Sequence, residues 1–152
     1  MTLHTGKTYK KDGVSIEAPN PKEIRTAVIS DDILEEVEAG LAWALRDPSV
    51  YDLSIKYQDK LVGQIYLHDI DWGSAEGMIG YHLFRKRYHG KGIGTKALQL
   101  LLQFCEQESR LSKLVIITGA HNWASRKIAE KSGFSYVGVA REDSGNVVYE
   151  IR

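Results

Sequence analysis

The sequence predicts an α+β (mixed α/β) fold, with a central mixed, mostly antiparallel sheet flanked by helices. Two observations support this prediction. Three strands in the first part of the chain follow one another through short polar connections, which is typical of an antiparallel meander. Towards the C-terminus, strand, helix, strand, helix and strand alternate, which places helices against the faces of the sheet. The chain has 152 residues, 43% of them hydrophobic, and this length fits one domain over residues 1–152.

The N-terminal half supplies the beginning of the sheet and one long helix. A turn signal at residues 12–13 precedes a short strand, and Pro19 and Pro21 are then expected to interrupt regular structure. After Ser30, whose side chain suits a helix N-cap, apolar residues recur at helical spacing. The predicted elements are a strand at 14–18, a helix at 31–46, and strands at 51–57 and 61–67.

The C-terminal half begins after a polar stretch over residues 68–74, which indicates a loop. Its best helix, over residues 92–109, carries a broad apolar stripe that predicts heavy burial. Asn122 can cap a second helix that runs to Ser132, and Gly133 suits the left-handed residue that ends it. The predicted strands of this half lie at 78–84, 114–117, 134–140 and 147–151.

The composition disfavours several classes of protein. Lysine plus arginine is 20 and aspartate plus glutamate is 20, and this zero net charge disfavours a dedicated nucleic-acid partner. The longest aliphatic run, residues 114–117, is far too short to span a membrane, and residues 1–5 lack the apolar core of a signal peptide. The single cysteine, Cys105, excludes an intrachain disulfide and a Cys-based zinc cluster, so no metal is expected. These features predict a cytoplasmic protein without a membrane or nucleic-acid partner.

The most informative segment, residues 89–98, places three alternating glycines between a strand and the long helix. Glycine lets backbone amides approach a ligand closely, and the amides at a helix start attract anions. The bases at residues 85–87, together with Lys91 and Lys96, add positive charge, so a phosphate or pyrophosphate ligand is expected. A tight turn is the alternative, but three glycines within five residues are more than a turn needs.

Two known phosphate-binding motifs fit this segment poorly. The run Gly92-x-Gly94-x-x-Ala97 matches the dinucleotide fingerprint, but the next strand ends at residues 118–121 without the acidic residue that the fingerprint requires. A P-loop requires serine or threonine after Gly-Lys, whereas Lys91 is followed by another glycine.

Two signatures together resemble the GNAT N-acetyltransferases. The first, Gln/Arg-x-x-Gly-x-Gly/Ala at the start of a helix, is similar to residues 89–94 (His-x-x-Gly-x-Gly), and residues 87–92 (Arg-x-x-Gly-x-Gly) are a second register that fits. The second signature, Asn-x-x-Ser/Ala followed by Glu-Lys-x-Gly-Phe, is matched by residues 122–125 and 130–134. The resemblance covers about residues 50–152 well and the remainder loosely.

The resemblance implies that acetyl-CoA is the cosubstrate and lies between two diverging parallel strands, at residues 78–84 and 113–119. Amides of the glycine segment would hold the pyrophosphate. Backbone of the first strand would pair with the pantetheine, and one of its amides would polarise the thioester carbonyl. Asn122 would bond the pantetheine arm as well as cap its helix. The implied cofactor-binding residues are His82, Leu83, Phe84, His89, Gly90, Lys91, Gly92, Ile93, Gly94, Thr95 and Asn122.

The same resemblance implies direct attack of an amine on the thioester in a ternary complex. Many relatives protonate the leaving thiolate with a tyrosine of the last helix, but Ala129 occupies that position here. Ser125 is the substitute, as in the branch that resembles ribosomal-protein N-terminal acetyltransferases, although a plain first-turn serine is an equal alternative. Some relatives carry a glutamate base where Ile117 stands, so Glu76 acting through water is the first choice of base. The other candidates are His68, Asp69, Asp71, His82 and His121. For each of the six, the residue type and position favour a solvated or structural role over the role of base.

Three functions remain open from the sequence. The first is transfer of acetyl from acetyl-CoA to a primary amine, on a protein N-terminus or a small molecule. A site without a strong base favours an α-amine, which is about 14% neutral at pH 7, over a lysine. Asp69, Asp71 and Glu76 are expected to border that amine. The second function is a non-catalytic CoA-binding module that has lost acetyl transfer, and the third, disfavoured by the second signature, is a phosphate-binding protein unrelated to CoA.

Overall fold

The computed structural model describes residues 8–27, 31–47 and 49–152. In this part of the chain, eight strands form one sheet, and four α-helices and a 3-10 helix lie between them. The strands are β1 (Tyr9–Lys11), β2 (Val14–Glu17), β3 (Tyr51–Tyr57), β4 (Lys60–Asp71), β5 (Glu76–Leu83), β6 (Lys113–Gly119), β7 (Ser135–Val139) and β8 (Asn146–Ile151). The helices are α1 (Pro21–Ala27), α2 (Asp31–Arg46), α3 (Ile93–Glu108) and α4 (Trp123–Lys131), with the 3-10 helix at Lys86–Tyr88.

The sheet has the strand order β1-β2-β3-β4-β5-β6-β8-β7. Every neighbouring pair is antiparallel except β5 and β6, which are parallel. These two strands pair only between residues 76–78 and residues 113–115. Beyond these residues the two strands no longer pair with each other, so a gap opens between their C-terminal halves. The predicted α+β fold, its mostly antiparallel mixed sheet and its diverging parallel pair are confirmed.

Helix α3 covers one face of the sheet with the apolar stripe that the sequence predicts. Leu98 and Phe104 of this stripe are fully buried. The Phe104 ring packs edge-on against Tyr9 at 5.7 Å between centroids and stacks on Tyr51 at 5.6 Å. Burial raises the pKa of the Cys105 thiol in the same stripe to about 12, so this cysteine is an unreactive core residue.

Helices α1 and α2 lie on the opposite face of the sheet. They contact each other, and between them they contact β4 and β3. Buried Ile24 of α1 and Val37 of α2 form a small apolar cluster with Phe84, which follows β5. The ammonium group of Lys56 on β3 lies 2.9 Å from carboxylate oxygens of both Glu17 and Glu23, which ties α1 to the sheet. Helices α1 and α2 therefore cover this face of the sheet near the end of β5.

The prediction of a loop over residues 68–74 is wrong for residues 68–71, because β4 continues to Asp71. The pairing between β4 and β5 shifts register between His68 and Asp71, and Asp69 there has a φ of +48°. A bulge of this kind lets a strand continue through polar residues whose alternation is broken. Local polarity alone therefore predicted the end of the strand too early.

The break expected at Pro21 is also wrong, because Pro21 is the first residue of α1. Its missing N–H costs nothing at that position, and its fixed φ suits a helix start. Asn20 supplies the cap, since its side-chain oxygen accepts a hydrogen bond from the Lys22 amide at 3.0 Å. The predicted N-cap Ser30 lies outside the described residues. Among the residues that are described, no helix is long and apolar enough to cross a bilayer.

Candidate functional site

A cleft of about 550 Å³ lies beside the C-terminal end of β5, where this strand has separated from β6. The end of β5, the glycine segment, the start of α3 and the first turns of α4 line it. Ten of the residues predicted from the sequence meet here: His82, Leu83, His89, Gly90, Gly92, Ile93, Gly94, Thr95, Asn122 and Ser125. Two separate sequence signatures thus converge on one cavity.

Two glycines of the segment, Gly90 and Gly92, present backbone alone to the cleft. Gly90 and Gly92 have φ values of +75° and +78°, which L side chains rarely adopt, and no atom lies within 4 Å of where a Cβ would stand. Gly92 is the N-cap of α3, and no side chain caps it within the described chain. The first amides of a helix have no partner in the helix itself. Together with the helix dipole, they form a site for an anion.

A third glycine brings the two helices of the site together. A Cβ on Gly94 would lie 2.6 Å from Cδ1 of Ile128, so this glycine permits close packing of α3 against α4. At the start of α4, the Asn122 side-chain oxygen accepts a hydrogen bond from the Ser125 amide at 3.2 Å. The predicted cap at Asn122 is confirmed, and so is the left-handed Gly133, with φ +91°, after the helix.

Tyr81 is a residue of the cleft that the sequence predictions did not include. Its hydroxyl donates a hydrogen bond to the Ser125 carbonyl oxygen at 2.9 Å, and the Ser125 hydroxyl donates one to the Tyr81 oxygen at 3.1 Å. Burial raises the pKa of this phenol, so it is protonated at neutral pH. The resemblance implied a tyrosine in the last helix, where buried Ala129 stands instead. The only available signal was the alternation of β5, which turns Tyr81 towards the face that carries α4.

The next residue along β5, His82, belongs to the other side of the strand. It pairs with Gln64 on β4, and its ring lies 5.2 Å from the ring of Phe84. Burial lowers the pKa of this imidazole below 6.5, while the charge of Glu36 on α2 partly opposes that effect. At pH 7 the ring is therefore neutral, with one nitrogen free of a proton.

Three predicted site residues are not among those that line the cleft: Glu76, Phe84 and Lys91. Glu76 begins β5, 3.8 Å from the ammonium of Lys113. The strand then runs for about 17 Å, the rise of five residues, before it reaches Tyr81 at the cleft. Phe84 packs against α1 and α2 instead, and its amide donates to the Val62 carbonyl at 2.8 Å. Lys91 is exposed.

The acidic residues expected beside the reaction centre also lie at the far end of β5. Asp71 pairs with Glu76, and its carboxylate accepts hydrogen bonds from the amides of Gly73 and Ser74. Asp69 lies 2.6 Å from Nδ1 of His68. Asp69 and Asp71 therefore shape a bulge and a turn, and neither is among the residues that line the cleft. That they border the acceptor amine stays a prediction.

A family model described as "Acetyltransferase (GNAT) domain" matches residues 11–135, which is most of the chain. The chain belongs to the GNAT acetyltransferase family. The resemblance that the two sequence signatures indicated is thereby confirmed. The single domain predicted over residues 1–152 stays a prediction, since residues 1–7 lie outside the described part.

Relatives and solved structures agree with this family. "Putative ribosomal N-acetyltransferase YdaF" of Bacillus subtilis (strain 168) is 33% identical over 91 residues, which are 60% of this chain and 49% of that protein. This chain spans about half the length of the curated relatives it matches. The structure of RimL, described as a ribosomal L7/L12 alpha-N-protein acetyltransferase in complex with coenzyme A, superposes with a TM-score of 0.78 at 16% identity, over 95% of this chain and 97% of that one. The acetyltransferase MccE with acetyl-CoA and AMP gives 0.74 at 22%, over 93% of each.

The GNAT cleft fits a CoA thioester in three respects. Its glycine segment offers uncapped helix amides to a pyrophosphate. The end of β5 has backbone groups that no longer pair with β6, so an extended pantetheine can add to this edge as a strand would. Ser125 and Tyr81 supply hydroxyl groups beside that edge. Among the described residues, no group of three or more His, Cys, Asp or Glu side chains is placed to hold a metal ion.

Proposed function

We propose that this GNAT protein transfers the acetyl group of acetyl-CoA to a primary amine by direct attack. The observation that carries the proposal is the cleft in which uncapped glycine amides, the free edge of β5 and the hydroxyl pair of Tyr81 and Ser125 meet. Each of these three features suits one part of the thioester: the pyrophosphate, the pantetheine and the sulfur. When bound, acetyl-CoA supplies an activated acetyl group and a thiolate leaving group.

The cofactor-binding residues that we propose have separate tasks. Amides at Gly92, Ile93 and Gly94 hold the pyrophosphate, because they begin α3 without a side-chain cap and no atom lies within 4 Å of the Cβ position of Gly92. Backbone of His82 and Leu83 pairs with the pantetheine and directs an amide at the thioester carbonyl, which stabilises the negative charge that develops there. Asn122 adds a side-chain contact to the pantetheine while it caps α4.

We propose His82, in place of Glu76, as the group that accepts the proton of the attacking amine. Its neutral ring lines the side of β5 opposite Tyr81, since successive residues of a strand point to opposite faces. An amine that approaches from the α2 side would meet His82, while the leaving sulfur faces Ser125 on the α4 side. Proton removal and proton delivery are then separated by the strand, so the two groups do not neutralise each other directly.

The acceptor class that we propose is the α-amine of a polypeptide. An α-amine is already partly neutral at pH 7, so a single imidazole is a sufficient base for it. A lysine side chain is almost fully protonated at this pH and would need a stronger base. The names of YdaF and RimL, which refer to ribosomal and α-amino acetylation, support the same class. The second candidate is a small-molecule amine, because the structure of MccE contains AMP beside acetyl-CoA. The cytoplasmic location and the absence of nucleic-acid and membrane partners stay predictions.

Thiol release from acetyl-CoA tests this proposal. We expect a short lysine-containing peptide with a free N-terminus to be acetylated at least tenfold faster than the same peptide with a blocked N-terminus. Polyamines and aminoglycosides complete the panel as small-molecule amines. If CoA raises the melting temperature but no amine releases thiol, the chain is a CoA-binding module without acetyl transfer. If the blocked peptide or a polyamine reacts fastest, the α-amine assignment is wrong.

A further inference from the structure

The hydroxyl groups of Tyr81 and Ser125 form a directed pair inside the cleft. Ser125 donates to Tyr81 at 3.1 Å, and Tyr81 donates to the Ser125 carbonyl at 2.9 Å. Both hydrogen atoms can rotate about their C–O bonds at little cost, so the direction of the pair can reverse. After reversal, Tyr81 donates to the Ser125 oxygen and Ser125 donates outwards into the cleft.

Serine alone is a poor acid for a thiolate. A thiol has a pKa of about 8.5 and a phenol a pKa of about 10, whereas an aliphatic hydroxyl is much less acidic than either. A proton that starts on a phenol therefore reaches sulfur with a far smaller energetic penalty than one that starts on serine alone. The phenol that many relatives place on the last helix cannot come from α4 here, because Ala129 occupies that position.

Resting on the proposed function, we propose that Tyr81 supplies, through Ser125, the proton that the departing CoA thiolate takes up. As the carbon–sulfur bond breaks, its electron pair goes to sulfur. Ser125 gives its proton to sulfur, and Tyr81 gives its own proton to the Ser125 oxygen. Tyr81 is left as a phenolate, which water reprotonates. Because Tyr81 acts through Ser125, it is a positioning residue, and β5 provides what the last helix provides elsewhere.

The surroundings of Tyr81 suit this role. The residue is well removed from water, and its pKa is raised mainly by burial, so the proton is present at every physiological pH. The other titratable side chain that acts on it is Tyr149, whose influence raises the pKa further. The backbone of Ser125 is fixed by its own amide, which donates to Asn122, and Ser125 is one of the residues that line the cleft.

The first test uses kinetics with the fastest acceptor of the amine panel. We expect Tyr81→Phe and Ser125→Ala each to lower kcat about tenfold to a hundredfold, with the acetyl-CoA KM within about twofold of the parent. The double variant should be no slower than the worse single variant, because both remove one relay. Tyr136→Phe, an exposed tyrosine outside the cleft, is the matched control. An unchanged kcat in Tyr81→Phe, or losses that multiply in the double variant, would overturn the proposal.

The second test does not depend on acetyl transfer. The ring carbon that bears the hydroxyl of Tyr81 is followed by NMR during a pH titration with CoA and, separately, with desulfo-CoA. A bound thiolate that accepts from Ser125 should lower the acid dissociation constant of Tyr81 about tenfold relative to desulfo-CoA, and Ser125→Ala should abolish that difference. Identical titrations with the two ligands would overturn the relay and leave the proposed function intact. Failure of the parent to bind CoA would overturn both.

Discussion

The side-chain amide of Gln64 donates hydrogen bonds to both carboxylate oxygens of Asp52, at 3.2 and 3.0 Å. Both side chains are buried, and no ion pair within the described residues reaches Asp52. Burial outweighs the hydrogen bonds and raises the pKa of Asp52 from 3.8 to about 7. The folded protein therefore holds a carboxyl group that resists ionisation on the face of the sheet that α2 covers.

This carboxyl group makes stability depend on pH in a predictable direction. Between pH 3.8 and about 7, the folded state binds the proton of Asp52 and the unfolded state releases it, so stability falls as pH rises through this window. The shift corresponds to about 4 kcal/mol at most. We expect Asp52→Asn to raise the free energy of unfolding at pH 8 relative to the parent, and to change it much less at pH 4.

Urea unfolding at both pH values measures this effect. Asp59→Asn is the matched control, since the Asp59 side chain is 89% exposed and its substitution should change the free energy of unfolding little. Equal effects of Asp52→Asn at pH 4 and pH 8 would show that Asp52 ionises as freely in the folded state as in the unfolded chain.

The anion site at the glycine segment predicts that acetyl-CoA raises the melting temperature. At a concentration a hundredfold above Kd, the gain is about 2.7 kcal/mol, or roughly 5–10 °C for a chain of this size. Gly92→Asp should abolish the shift, because it places bulk and negative charge where phosphate oxygens would lie. Gly13→Asp is a matched control, since Gly13 has a similar φ of +81° and lies outside the cleft. A full shift in Gly92→Asp would place the pyrophosphate elsewhere.

His82→Gln should lower kcat about a hundredfold and leave the acetyl-CoA KM nearly unchanged, because the backbone contact is kept while the basic nitrogen is lost. In the parent, kcat should fall on the acid side with a pKa below 6.5, the direction in which burial moves His82. Glu36 of α2 opposes that shift, so neutralising Glu36 should move the acid-side fall of kcat to still lower pH. The His82→Gln variant should lack this acid-side fall.

Rates measured between pH 5 and pH 8 decide this prediction. Glu76→Gln is the comparison, and we expect it to keep the parental kcat, since Glu76 lies at the opposite end of β5. The reverse result, with a slow Glu76→Gln and an unaffected His82→Gln, would restore the base expected from the sequence.

Much of the site could be predicted because its signals are local. Gly90 and Gly92 need left-handed backbone conformations, and Asn122 caps the helix that follows it, so each requirement is written within a few residues. The diverging parallel pair was expected only from the resemblance to the GNAT family. Local chemistry of this kind survives folding almost unchanged.

Other features depend on distance in the folded chain and left no local signal. Tyr81 and Ser125 are 44 residues apart, and only the packing of α4 against α3 and β6 brings their hydroxyl groups together. Glu76 is the first residue of β5, and the cleft lies at the other end of this strand. The extension of β4 to Asp71 depends on a bulge, and the polar residues of this segment do not predict it.

The contact between β4 and β5 beside the cleft leads to a final pair of predictions. A Cβ on Gly63 would collide with the backbone oxygen of His82 and would lie 3.1 Å from Cα of Leu83, and a backbone cannot yield as a flexible side chain can. Gly63→Ala should therefore lower the free energy of unfolding by about 2 kcal/mol or more and weaken CoA binding, since β5 must shift where it borders the cleft.

Gly40→Ala in α2, where no atom lies within 4 Å of the Cβ position, should instead raise the free energy of unfolding by about 0.5–1 kcal/mol, because alanine favours a helix. Urea unfolding and the CoA-induced rise in melting temperature test both variants. Equal and small effects of the two substitutions would show that β4 and β5 are less closely apposed at Gly63 than the structure has them.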